Sequence, residues 1–165
     1  MTGLIMANTY SNIFQRSSNH IGSLADYLYK EVLLFIESDD VTTLKGINDI
    51  NKSYISLLQG EVLLDHLSEI VVSAKPQHLK DTIDVENLND VIHLVSSTQN
   101  LAVDVLKHIR NAFAHNLVVM EDKDVVIGDF LTKRHNIDFN RPTMLGRLSI
   151  KKLKFLVKQA KSLSK

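Results

Sequence analysis

Cysteine is absent from this 165-residue chain. Disulfides are therefore excluded, as is any metal site or nucleophile built on a thiolate. Tryptophan is absent too, and aromatic residues make up only 6% of the sequence. Few platforms remain on which nucleic-acid bases could stack. With two prolines and six glycines, the chain has room for long helices. No apolar run approaches the ~20 residues that span a bilayer. Residues 1–18 lack the basic-then-apolar order of a secretory signal. These absences predict a cytoplasmic protein with no membrane contact. There is no His-Glu-x-x-His pair, no phosphate-cradling glycine loop and no Gly-x-Ser-x-Gly elbow. The expectation is no metal and no cofactor.

What is present describes an ordinary globular chain, 44% hydrophobic and 23% charged, long enough for one domain with a core. Residues 1–18 read as a poorly ordered N-terminal segment and 19–165 as a single domain. The formal net charge is zero, but its distribution is uneven. Residues 1–132 hold 9 Lys/Arg against 18 Asp/Glu, whereas 133–165 hold 10 Lys/Arg against Asp138 alone. A basic segment follows an acidic body. It suits a polyanion, the acidic body of this or another subunit, or simply a solvated helix face.

Leu24, Leu28, Val32 and Phe35/Ile36 recur at helical spacing and predict a helix over 23–37. A second helical pattern runs over 43–73, ended by Lys75-Pro76. Residues 74–86 read as a polar connection. A third helix is predicted over 85–115, with Leu101, Ala102, Val105, Leu106, Ile109, Ala112 and Phe113 on its core face. Asp104, His108, Asn111 and His115 share a stripe on another face, and the spacing aims that stripe away from the core. The β-branched runs 117–120 and 125–127 flank Glu-Asp-Lys-Asp and signal a hairpin. A loop with Asn140, Pro142 and Gly146 follows. Ser149 then caps a last helix with Leu153, Leu156, Val157 and Ala160 inward. These elements predict an all-α helical bundle with a small β-hairpin before its C-terminal helix.

The chemistry concentrates at 109–116, Ile-Arg-Asn-Ala-Phe-Ala-His-Asn. Arg110 is a permanent cation and His115 titrates near neutral pH. Together they suit stabilising a phosphate and moving a proton without metal. The same pair also suits a plain structural role, since cations are favourable at a helix C-terminus. His108 shares the stripe with Asp104 and His115 and is a supporting candidate. His66, among Leu63, Leu64 and Leu67, reads as a partly buried core histidine, and His20, His78, His93 and His135 have no metal-ligand spacing. Lys133, Arg134, Arg141 and Arg147 lie where a loop would let them reach phosphates.

Arg110-Asn111-x-x-x-His115, inside Leu-Lys-His-Ile-Arg-Asn-Ala-Phe-Ala-His-Asn at 106–116, resembles the signature of the HEPN superfamily. That resemblance implies a four- to five-helix bundle that forms a homodimer and joins two motifs across a two-fold axis. It further implies a metal-independent endoribonuclease, in a toxin–antitoxin or phage-defence setting, with RNA as substrate and an antitoxin or other regulatory protein as partner. In that picture the 2′-OH attacks, His115 is the acid/base, Arg110 stabilises the phosphorane and Asn111 positions. Toxins of this class that are silenced by nucleotidyltransferases carry a Tyr two residues after the His, where this chain has Leu117. The chain also resembles the mannitol operon repressor family, which has a helical body and a similar Arg-Asn-x-x-x-His helix end. That likeness implies a non-enzymatic regulator or adaptor.

Overall fold

The computed structural model describes residues 11–14, 21–37, 69–73, 75–83, 88, 91–95 and 101–163. They form an α+β domain, not the all-α bundle expected. Helix α1 comprises Ser23–Leu28, a wide π-helical turn Tyr29–Leu33 and Leu34–Glu37. Strand β1 (Glu69–Ser73), helix α2 (Pro76–Thr82) and strand β2 (Val91–Val95) follow. Next come helix α3 (Leu101–Ala114), strands β3 (Val118–Glu121), β4 (Asp124–Lys133) and β5 (Asn136–Ser149), and helix α4 (Ile150–Leu163).

The five strands form one sheet in the order β1-β2-β5-β4-β3. β1 and β2 are parallel, and the other neighbours are antiparallel. This sheet overturns the all-α expectation at three places. The end of the helix predicted over 43–73 is β1, while 43–68 lies outside the described residues. The start of the helix predicted over 85–115 is β2, whose Val-Ile-His-Leu-Val composition favours a strand. The loop expected before the last helix is β5, the central strand. Residues 74–86 are also not merely a connection, because Pro76 opens α2. Proline is favoured at a first helical position, where no N–H is needed.

β5 tolerates its two apparent breakers for separate reasons. Pro142 sits opposite Phe130 where the β4–β5 register shifts, and past Met144, the last residue paired with β2 in that direction. Its missing N–H therefore costs no ladder bond to β2. Gly146 is paired with Ile92 of β2: a Cβ there would come within 2.8 Å of Ile92 Cγ1 and 3.1 Å of the Val91 carbonyl oxygen.

The central strands are covered on both faces. In β4, residues 125–130 are all buried, and their side chains alternate between the two sides. Val125, Ile127 and Asp129 share the side that meets α3. Gly128 and Phe130 share the other, where Phe14 lies against them. Phe14, Phe130 and Phe139 stack edge to face, with centroids 5.9 and 5.0 Å apart. Phe14 belongs to the N-terminal segment expected to be poorly ordered, yet it is buried.

The helix faces follow the sequence pattern. Leu24, Leu28 and Val32 of α1 are buried, as are Ala102, Val105, Leu106, Ile109 and Ala112 of α3. In α4, Leu153, Leu156, Val157 and Ala160 are buried, and the Ser149 hydroxyl accepts the Lys152 N–H at 3.2 Å as the predicted cap. The predicted hairpin is β3–β4, turning at Asp122-Lys123. The β4–β5 hairpin turns at Arg134 and His135, both left-handed with φ of 52° and 68°. That is the geometry of a tight two-residue hairpin turn, adopted here without glycine. Among the described residues, no helix is long and apolar enough to cross a membrane.

Candidate functional site: a buried polar network on α3

Helix α3 ends in a motif that explains the last letters of the signature. The Leu117 N–H donates to the Ala112 carbonyl at 2.8 Å, and the Asn116 N–H to that of Phe113 at 3.1 Å. Asn116 is left-handed, with φ 59°. This is a Schellman stop: Asn takes the left-handed position and a buried Leu follows it. His115 is the C-cap residue, exposed to solvent, where a cation would face the negative end of the helix.

One turn back, the stripe turns inward. Asp104, His108 and Asn111 were expected to point away from the core, but Asp104 is buried and His108 and Asn111 meet Asp129 of β4. Asp104 is only 2% exposed, and so nearly is Asp129 at 4%. His108 Nδ1 lies 2.8 Å from Asp129 Oδ2, and its Nε2 lies 2.7 Å from the Val95 carbonyl oxygen. Asn111 Nδ2 donates to the same Asp129 oxygen at 3.3 Å. Arg110 Nη1 donates to Asn111 Oδ1 at 3.0 Å, and Arg110 Nη2 to Glu37 Oε1 at 2.8 Å. The network thus ties α3 to β4, to the end of β2 and to the end of α1.

The hydrogen bonds favour a positive charge on His108. A carbonyl oxygen can only accept, so Nε2 carries a proton. An ionised Asp129 accepts from Nδ1 as it does from Asn111, so the two acceptors around the ring favour its protonated form. Burial pulls the His108 pKa down. The hydrogen bonds to Asp129 and Val95, with the negative charges of Asp129 and Asp104, outweigh burial and leave it above 6.5.

The sign of the pH effect follows. A pKa raised in the fold means that His108 stabilises fully below about pH 6.5, its unfolded value. The stabilisation is lost as pH rises through the folded value. The urea midpoint of the wild type should therefore decline as pH is raised from 6 toward 9. In His108→Gln that decline should be reduced. Equal pH dependence in the two proteins would refute the charged ring.

The network sets the roles left open to the motif. Arg110 and His115 are five positions apart, about 140° around the helix, so their side chains leave it in different directions. His108 has no free nitrogen with which to move a proton. Arg110 is paired with Glu37, but on the surface, with side-chain exposures of 34% and 49%. The four basic residues expected to meet RNA are separated. Lys133 and Arg134 border a depression of about 380 Å³ at the β4–β5 turn, with Asp138 beside them. Arg141 is exposed. Arg147 pairs with Glu121 at 3.0 Å and Asp124 at 3.1 Å at the surface. From Gly128, beside the end of α3, to Arg134 is roughly 20 Å of strand. The basic turn and the motif are therefore separate places.

Asp129, Glu37 and the Val95 carbonyl are the partners that sequence reasoning missed. Asp129 did leave a trace: an acid in step with Val125 and Ile127 within an apolar strand. Glu37 left none, being a surface acid far along the chain. Among the described residues, no group of three His, Asp or Glu is placed to hold a metal ion. The chain matches no protein-family model, no curated protein and no solved structure in the comparisons made.

Proposed function

We propose that this chain is a non-enzymatic cytoplasmic binding protein, a regulator or adaptor, in which the Arg-Asn-x-x-x-His segment organises the fold. One observation carries this reading: His108 is hydrogen-bonded at both ring nitrogens inside a network that also occupies Arg110 and Asn111. Cleaving RNA without metal needs a base for the 2′-OH and an acid for the leaving group. A single chain offers one exposed imidazole at this end of α3, and it sits at a helix cap. The surface left for a partner is the basic last fifth of the sequence.

The test is incubation of the purified protein, with EDTA, with single-stranded and structured RNA beside His115→Ala. Both proteins should leave the RNA intact. Cleavage by the wild type alone, with 2′,3′-cyclic phosphate ends, would overturn the proposal.

A second reading is the metal-independent endoribonuclease with a composite site in a homodimer. It is favoured by the exposure of His115 and by the weakness of the Arg110–Glu37 pair. An ion pair so exposed is worth about 0.2–1 kcal/mol, so a phosphate could displace Glu37. A second copy would supply the second imidazole, and a regulatory protein would restrain the enzyme. The same assay decides between the two.

A further inference from the structure

α4 contains no acidic residue, and its lysines fall in step. Lys151, Lys154, Lys158 and Lys161 recur at three- and four-residue intervals and so lie along one face. That face borders a groove of about 780 Å³ between α4 and α1, with Tyr27, Glu31 and Phe155 also in its wall. The Tyr27 hydroxyl donates to the Lys154 carbonyl at 3.1 Å and sets the spacing of the two helices. Burial, with the nearby Glu31 charge, pushes the Tyr27 pKa up to about 12 and keeps that donor neutral.

The lysines are not equivalent. Lys161 is spent on Glu31 at 2.6 Å and lies 4.8 Å from the Phe35 ring centre. Lys154 lies over the Tyr27 ring at 4.9 Å. Lys151 and Lys158 are exposed and have no carboxylate partner among the described residues. The groove therefore has an aromatic and aliphatic floor and a positive rim about three helical turns long.

We propose that this groove docks an acidic amphipathic helix of a partner protein, its carboxylates meeting Lys151, Lys154 and Lys158 and its apolar side chains covering Phe155. The charge is complementary, and Glu31, the one acid in the wall, is already neutralised by Lys161. Nucleic acid fits the floor less well. The lysines cover a face of the Tyr27 ring and of the neighbouring Phe35 ring, which removes surfaces on which a base would stack. A ribose-phosphate backbone has no apolar group with which to fill the floor. An amphipathic helix supplies both features at the spacing of α4. This inference rests on the binding-protein reading and names its partner.

The experiment uses the full chain and a labelled helical peptide with Glu at positions i, i+3, i+7 and i+10 and Leu at i+4 and i+8. Anisotropy should show saturable binding that weakens with salt. Lys151→Glu/Lys158→Glu should weaken it roughly tenfold or more while leaving Tm nearly unchanged, because both side chains are exposed and neither has a carboxylate partner among the described residues. Binding unaffected by the double substitution would overturn the proposal. So would no binding at millimolar peptide, the result expected if the chain fills its own groove. A single-stranded RNA that binds where the peptide does not, and is lost in the same variant, would mark a nucleic-acid surface and also overturn it. RNA cleavage is read separately, so failure here is distinguishable from failure of the binding-protein reading.

Discussion

Asp129→Ala is expected to cost the fold about 3–5 kcal/mol, the range for leaving one member of a buried ion pair without its partner. At 2–4 °C per kcal/mol for a chain of this size, Tm should fall by roughly 6–20 °C. Three groups lose by the change. His108 keeps a buried positive ring with one acceptor instead of two, the Asn111 amide loses its acceptor, and α3 loses its bond to β4. Asp129→Asn keeps the shape and one acceptor oxygen, so it should fall between wild type and alanine. The two variants and the wild type would be compared by calorimetry at pH 6, below the raised pKa of the ring. The gap between wild type and Asp129→Ala should narrow at higher pH, as the wild type loses what His108 contributes. A loss below about 1 kcal/mol at pH 6 would mean that the pair is not the clasp described above.

Within 106–116, sensitivity should follow burial and not membership of the signature. Ile109→Ala removes a fully buried side chain and should cost about 2–5 kcal/mol through lost burial and the cavity left behind. His115→Ala removes an exposed cap residue and should cost no more than about 1 kcal/mol, the usual worth of a cation at a helix end. Chemical denaturation of both variants gives the comparison. A large loss for His115→Ala would mean that the imidazole has a partner outside the described residues; a loss that also depends on protein concentration would place that partner on a second copy. That result would move weight to the composite ribonuclease.

The parts that could be read from the sequence are those whose determinants are local. The periodicity of Leu24, Leu28 and Val32, the Ser149 cap and the inward face of α4 each need only a few turns of chain to declare themselves. So does the β3–β4 hairpin, with its apolar runs and charged turn. β5 was missed because Pro142 and Gly146 punctuate it; Pro142 is tolerated because it lies beyond the pairing with β2, and Gly146 because β2 approaches it closely. β1 and β2 were absorbed into neighbouring helices because short apolar runs do not separate strand from helix by period alone. The site divided in the same way. The positions of Arg110, Asn111 and His115 on one helix were legible. The meaning of the stripe was not, because it depends on Asp129 arriving from β4 and on a carbonyl that any residue would have supplied. Without them, a polar stripe reads as a surface.

The place of β5 in the sheet has a consequence for the order in which the protein can be made. The strand that joins the two halves is the last to be synthesised. Leu94 waits for Met144, and Ile92 for Gly146. At ~5–20 residues per second, several seconds of translation separate β2 from its central neighbour. During that time Val91-Ile92-His93-Leu94-Val95, which has no acidic or basic side chain other than His93, can pair with β1 but not yet with β5, the second of its two neighbours in the sheet. Such a segment is prone to pair with another nascent chain. Yield in the cell should then depend on how quickly the C-terminal third follows, a demand set by topology and independent of what the finished surface binds.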